Sequence, residues 1–253
     1  MNCWLMSKID IIIHYIVFIY LSNHKMLFDV LYNALLIIDG ELFCWGYNFD
    51  SKLGIGSDEH KNYPIKINHN FDNSGVKLVK CLQHMSYILT NLGNIFACGY
   101  NIHYQIGSGN DFIYNKFTQN QYLKDITMIE SNGAFSIAIS SENKMYIWGH
   151  VFKTYHKYPI EYDIQCNHVY KLVCNNGRDS TCVNKIIIWT DVGLFSIDDT
   201  NRSHKKIYFD HLQSIIDIVC NITHVVILTM DNKIYSKNNT ENFFHQINFD
   251  YPL

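Results

Sequence analysis

The chain has 253 residues, 48% of them hydrophobic, and a formal net charge of −3. That is enough apolar material for one large all-β domain or two ordinary ones, and it excludes a largely disordered chain. With only Arg178 and Arg202 supplying guanidinium groups among twenty basic residues, the basic footprint of a nucleic-acid binder is missing, so the expected partner is a protein.

Asn, Ile, Lys, Tyr and Phe are abundant while Pro occurs three times, as AT-rich codons would produce. Such drift removes Gly, Ala, Pro and Arg, so motifs built on those residues are expected to be eroded. Eight cysteines without a single CxxC point to neither a zinc module nor a dense disulfide framework. They read as reduced, mostly buried thiols.

In chain order, the first feature is the apolar run Ile9–Leu21, "IDIIIHYIVFIYL". It is shorter than the ~20 residues that cross a bilayer, and it carries Asp10 and His14. No small-residue cleavage site follows it. Residues 1–25 are therefore expected to be a buried strand or helix, or dispensable.

Next comes "GELFCWGYNFDSKLGIG", Gly40 to Gly56, and its echo "GNIFACGYNIHYQIGSG", Gly93 to Gly109. The two align without a gap at an offset of fifty-three: Gly40 with Gly93, Gly46 with Gly99, Asn48 with Asn101, Gly54 with Gly107, Gly56 with Gly109. Trp45 precedes the first central glycine. A third copy, "NKMYIWGH", keeps Trp148 and Gly149 but loses the Asn and the Gly-x-Gly. A period near fifty residues is the signature of a stacked or circular array.

Upstream of each copy lie short β-branched runs such as "SYILT", "SIAIS" and "VVILT", bounded by turn residues. They read as strands, and "NLGN", "SENK" and "MDNK" place Gly or Asn where a tight hairpin needs positive φ. Five imperfect repeats follow, at 26–76, 77–125, 126–168, 169–214 and 215–253. In the fourth, either "NKIIIWT" or "TDVGLFSI" could supply the third strand. With no Pro/Gly/Ser-rich linker between them, residues 26–253 are expected to form one domain of antiparallel blades, three or four strands each. In such an array both faces of a strand are buried, and "ELFCW" and "NIFAC" read that way. Gly46 and Gly99 are expected where strand meets loop and no Cβ fits. Asn48 and Asn101 are expected to hold the bend by bonding backbone amides.

These residues resemble the regulator of chromosome condensation repeat: Trp-Gly-x-Asn followed by Leu-Gly-x-Gly, strongest over 26–110. The resemblance implies an all-β propeller, one blade per repeat, and a non-enzymatic protein-interaction module. It also implies two alternatives, a guanine nucleotide exchange factor for a small GTPase and an accessory subunit of a ubiquitin ligase assembly. The founding member's ring has seven blades, so five repeats imply a smaller ring, an open arc or a fragment. Kelch propellers share the period, but their Gly-Gly doublet is absent. Of the family's histidines only His224 stands at its position, where a core role is expected.

"KLGIGSDEH" and "QIGSGNDFI" lack the Gly-Lys-Ser/Thr ending of a phosphate loop. Cys166, Cys174 and Cys182 recur every eight residues near His168, which strand position explains as well as zinc would. No nucleophile motif occurs. The expectation is a monomer with no catalytic residues, no metal and no cofactor, binding neither nucleic acid nor membrane.

Overall fold

The computed structural model describes residues 26–30, 33–69, 71–174, 185–198, 204–221, 223–238, 241 and 243–247. They form twenty strands in five four-stranded antiparallel sheets, each in simple up-and-down order. The first sheet holds β1 (Met26–Val30), β2 (Asn33–Ile38), β3 (Glu41–Gly46) and β4 (Lys61–Ile67). The second holds β5 (Val76–Cys81), β6 (Met85–Thr90), β7 (Ile95–Gly99) and β8 (Tyr114–Gln119). The third holds β9 (Ile126–Ser131), β10 (Phe135–Ser140), β11 (Met145–Val151) and β12 (Thr154–Tyr162). The fourth holds β13 (Val169–Cys174), β14 (Lys185–Thr190), β15 (Gly193–Asp198) and β16 (His204–Ile207). The fifth holds β17 (Ile215–Cys220), β18 (His224–Thr229), β19 (Ile234–Asn238) and β20 (His245–Ile247).

Neighbouring sheets meet most closely through their first strands, β1 on β5, β9 on β13 and β13 on β17. "ELFCW" and "NIFAC" are the third strands of their sheets, and in the fourth sheet that place is taken by Gly193–Asp198, "NKIIIWT" supplying the second strand. Every residue of β6, β7 and β10 is buried, because a sheet lies against each face. β3 departs from the expectation. Its burial alternates, with Phe43 and Trp45 only half-buried, because the first sheet has a described neighbour on one side alone.

Four apolar clusters hold the array together, one at each junction between consecutive sheets. Leu35, Cys44, Ile88 and Phe96 belong to the first, and Tyr87, Ile129, Ala138 and Trp148 to the second. Ile137, Ile147, Leu172 and Ile188 belong to the third, and Ile187, Leu194, Ile218 and Ile227 to the fourth. Each fully buried side chain of this size contributes about 1.5–3 kcal/mol relative to exposure. Among the described residues no cluster joins the fifth sheet to the first.

The hairpin turns carry the expected backbone. Gly93, Asn143 and Asn232 all have positive φ, at 78°, 60° and 59°. In the third sheet β11 and β12 are joined by Phe152 and Lys153 alone, both left-handed at φ 55° and 57°. That two-residue turn replaces the long loop of the first two sheets, which is why the third copy has no Gly-x-Gly.

Candidate functional site

The loops that follow β3 and β7 are built on the same plan. Asn48 Oδ1 accepts from the Leu53 amide at 2.8 Å, and Asn101 Oδ1 from the Ile106 amide at 2.7 Å. The Asn48 amide nitrogen donates to the Ser57 and Glu59 carbonyls, and that of Asn101 to the Asn110 carbonyl and to Ser108. A buried asparagine thus closes each loop across its own neck.

Glycine is required at two kinds of place in these loops. Gly99 and Gly149 sit at a register shift between the third and fourth strands, at φ 105° and 93°. A Cβ there would stand 2.5 Å from the His84 carbonyl and 2.6 Å from that of Ala134. Those carbonyls accept from the next residue's amide, Tyr100 and His150, both at 2.9 Å, so the backbones cannot separate. Gly46 takes the same place in the first sheet, at φ 104°. Gly54 and Gly107 lie under aromatic rings, where a Cβ would be 2.5 Å from Phe117 and 2.7 Å from Trp148. Gly56 and Gly109 follow with φ 86° each, and Gly40 turns the first hairpin at φ 83°.

Between the glycines stand Lys52 and Gln105, both buried, and each reaches the following sheet. Lys52 Nζ donates to the Gln83 carbonyl at 2.8 Å, and Gln105 Nε2 to that of Gly133 at 3.1 Å. Burial lowers the Lys52 pKa, while Asp50 and Cys81 oppose that shift. The Gln105 carbonyl in turn accepts from Tyr87, from Ser136 at 2.7 Å and from Trp148 Nε1 at 2.7 Å.

This locked scaffold presents a belt of rings across the first three sheets. Tyr47 and Phe49 gather on His60, at centroid separations of 5.0 and 4.4 Å. Asp50 continues the line to His84, whose Nδ1 lies 2.7 Å from its carboxylate. His84 meets Tyr100 at 5.7 Å, Tyr100 meets His103 at 6.1 Å, and His103 meets His150 at 6.0 Å. His150 stacks on Tyr155 at 4.6 Å, which meets Tyr104, and the Lys157 ammonium lies 5.2 Å over the Tyr104 ring. Phe49 is 71% exposed and Tyr155 51%, so the rings are a surface and not a core. Burial lowers the pKa of His103, and the neighbouring His150 and His84 lower it further.

Of the sequence-singled positions, Asn48, Asn101 and the glycines support the belt without forming it. Trp148 is buried between the second and third sheets. Trp45, its counterpart, is half-buried on the first sheet's outer face. His224 is a correction. Its side chain is exposed, its Nδ1 lies 2.8 Å from Thr223 Oγ1, and its amide donates to Asn221 Oδ1. Met85 and Phe135 fill the equivalent place in inner sheets, where a following sheet covers them; His224 stands in the last sheet. Cys182 lies outside the described residues. Sequence reasoning did not single out His84, His103, His150 or Lys157. The signal was nonetheless present, since Tyr47, Tyr100 and His150 each directly follow a repeat glycine.

Four-stranded antiparallel sheets that pack in succession, each on the next, define a β-propeller-type repeat protein. Residues 39–89 match the regulator of chromosome condensation (RCC1) repeat. The chain is 26% identical over 124 residues to the RCC1 domain-containing protein RUG3, mitochondrial, of Arabidopsis thaliana, a stretch covering 47% of this chain and 27% of that relative. The match thus spans about a quarter of the relative's length. Human WBSCR16 shares the fold with a TM-score of 0.71 at 15% identity, over 86% of this chain and 65% of that one. Prp20p of Saccharomyces cerevisiae, a structure described with binding to Gsp1p and histones, shares it at 0.68 and 14%, over 87% and 60%.

Proposed function

We propose that residues 26–253 form a single propeller-like domain that serves as a non-enzymatic protein-interaction module and takes its partner on the aromatic–histidine belt. The carrying observation is a row of exposed and half-buried rings, bridged at one point by the Asp50–His84 pair, on loops that buried asparagines and obligatory glycines hold rigid. Rigid Tyr, Phe and His side chains bury large area at low entropic cost, which is what interface anchors do. Affinity capture from native cells with the full chain as bait tests this. Partners retained by the wild type and lost on Phe49→Ala with Tyr155→Ala, at unchanged thermal stability, support it. Equal retention by the double variant overturns the placement of the site.

A second reading, regulation of a small GTPase, draws its support from the likeness to Prp20p, whose structure is described with Gsp1p. Nucleotide release from a small GTPase, followed with a fluorescent GDP, separates the two. Acceleration by this chain would put exchange activity first.

A further inference from the structure

The first belt loop carries a hydrogen bond for which its copy in the second sheet has no counterpart. The Asn48 backbone amide donates to His60 Nδ1 at 3.0 Å, across the neck where β3 ends at Gly46 and β4 begins beside it at Lys61. At the repeat offset of fifty-three the place of His60 is taken by Ile113, whose side chain has no nitrogen to offer. Both loops otherwise share their clamp, Asn48 on Leu53 in one and Asn101 on Ile106 in the other. A backbone N–H can donate only to a ring nitrogen that carries no proton. His60 is therefore neutral in this arrangement, with its single proton on Nε2. Its ring is exposed and open to protons from solvent, whereas Asn48 is 0% exposed. Once Nδ1 is protonated, that buried amide reaches another acceptor only if the neck opens.

We propose that His60 is a proton-operated latch on the belt: neutral, it closes the neck of the Tyr47–His60 loop, and on taking a second proton it releases the Asn48 amide and loosens the Tyr47 and Phe49 end. Its use in regulating a partner rests on the belt being the docking surface; the latch itself does not. The rings of Tyr47 and Phe49 pack on His60 at 5.0 and 4.4 Å, and of the two only the Tyr47 phenol titrates. Along the chain, Glu59 and Lys61 pair with each other at 2.7 Å, and Asp58 stands two residues before the histidine. Among the described residues no carboxylate pairs with the His60 ring, so nothing anionic holds a protonated ring in place. His84 is the contrast. Its Nδ1 faces the Asp50 carboxylate, and a second proton strengthens that contact. His103 and His150 lie further along the belt, beyond Tyr100. An imidazole changes charge between about pH 5 and 8. The latch is closed at the upper end of that range and open at the lower.

NMR of the full chain labelled with nitrogen-15 histidine reads the tautomer directly, the His60 signals being those absent from His60→Asn. At about pH 8 the expected pattern is a bare Nδ1 and a protonated Nε2; a proton on Nδ1 overturns the latch. Amide hydrogen exchange then follows the neck. Between about pH 8 and 5 the protection factor of the Asn48 amide, corrected for intrinsic exchange, is expected to fall about tenfold. That of the Ile106 amide, the clamp of the copy without a histidine, is expected to hold. A fall at both amides means general loosening in acid, and a fall at neither means that His60 does not respond; either overturns the proposal. His60→Asn supplies an oxygen acceptor in place of Nδ1 that does not titrate, and is expected to keep Asn48 protected at both pH values. His60→Phe keeps a ring against Tyr47 and Phe49 without an acceptor, and is expected to leave Asn48 poorly protected at both. A pH-dependent fall that survives in either variant assigns the sensing to another group and removes His60 from the role. These measurements use no partner, so the latch stands or falls separately from the belt reading, which the capture with Phe49→Ala and Tyr155→Ala decides. A partner so captured is expected to be retained at pH 8 and released at pH 5 by the wild type, and retained at both by His60→Asn. Equal retention by the wild type at both overturns the regulatory use.

Discussion

One carbonyl, that of Gln105, sits at the junction of the second and third sheets and receives the Tyr87 and Ser136 hydroxyls and the Trp148 indole. Tyr87 is fully buried, and burial pushes its phenol well above the ordinary range, so it stays a donor at any pH the protein meets. Tyr87→Phe leaves the carbonyl two other donors and is expected to cost about 1 kcal/mol in urea unfolding. Gly107→Ala is expected to cost more, over about 2 kcal/mol, since it adds a left-handed alanine and a Cβ 2.7 Å from the Trp148 ring. Cysteine reactivity is decided at this scale too. Burial raises the Cys44 thiol to about 12 and those of Cys98 and Cys174 well above the usual range. In native buffer, peptide mapping after iodoacetamide is expected to find these three unmodified, and in urea all three carboxamidomethylated. Native labelling at Cys98 would contradict the burial on which the first junction rests.

At the scale of elements, the link between the first and second sheets turns on Asp72. Burial opposes its ionisation, but hydrogen bonds from Ser74, Thr90 and Asn94 outweigh that and hold its pKa at about 2. A carboxylate whose pKa is lower folded than unfolded stabilises the fold above its unfolded value, near 4, and loses that contribution as pH falls towards 2. Asp72→Asn is therefore expected to be less stable than wild type at pH 7 and to show a shallower loss of stability between about pH 4 and 2, measured by thermal melts across that range. A parallel pH profile would show that other carboxylates govern acid unfolding. Hairpins and sheets were legible in the sequence, because a two-residue turn needs positive φ and a buried strand needs a short β-branched run. The third sheet's missing Gly-x-Gly was legible only as a loss, since "VFKT" gives no glycine to mark the left-handed Phe152–Lys153 turn that replaces it. The half-burial of Phe43 and Trp45 and the exposure of His224 were not legible. It depends on where a sheet stands in the array, and equivalent positions in different copies carry the same pattern whether a neighbour covers them or not. The belt was hidden for a related reason: its rings lie far apart in the chain, and only the loops that glycine and asparagine fix bring them into line.

At the scale of the molecule, the packing runs from each sheet to the next. Lys80 pairs with Glu130 between the second and third sheets, and Lys171 with Asp217 between the fourth and fifth. Half-exposed pairs like these contribute about 1 kcal/mol at most, so the apolar clusters carry the junctions. In such an array stability is a sum of sheet and junction contributions, and damage at one end need not reach the other. Ile227, fully buried at the last junction, supplies the test. Ile227→Ala is expected to cost about 2–4 kcal/mol locally. Native-state hydrogen exchange should then show faster amide exchange throughout β17–β19, with protection in β6 and β10 unchanged. In a closed ring the fifth sheet would have two neighbours, and loosening it would free the first as well. Faster exchange in β2 together with β18 would therefore speak for closure, while a response that fades from the fifth sheet through the fourth is what an open array requires.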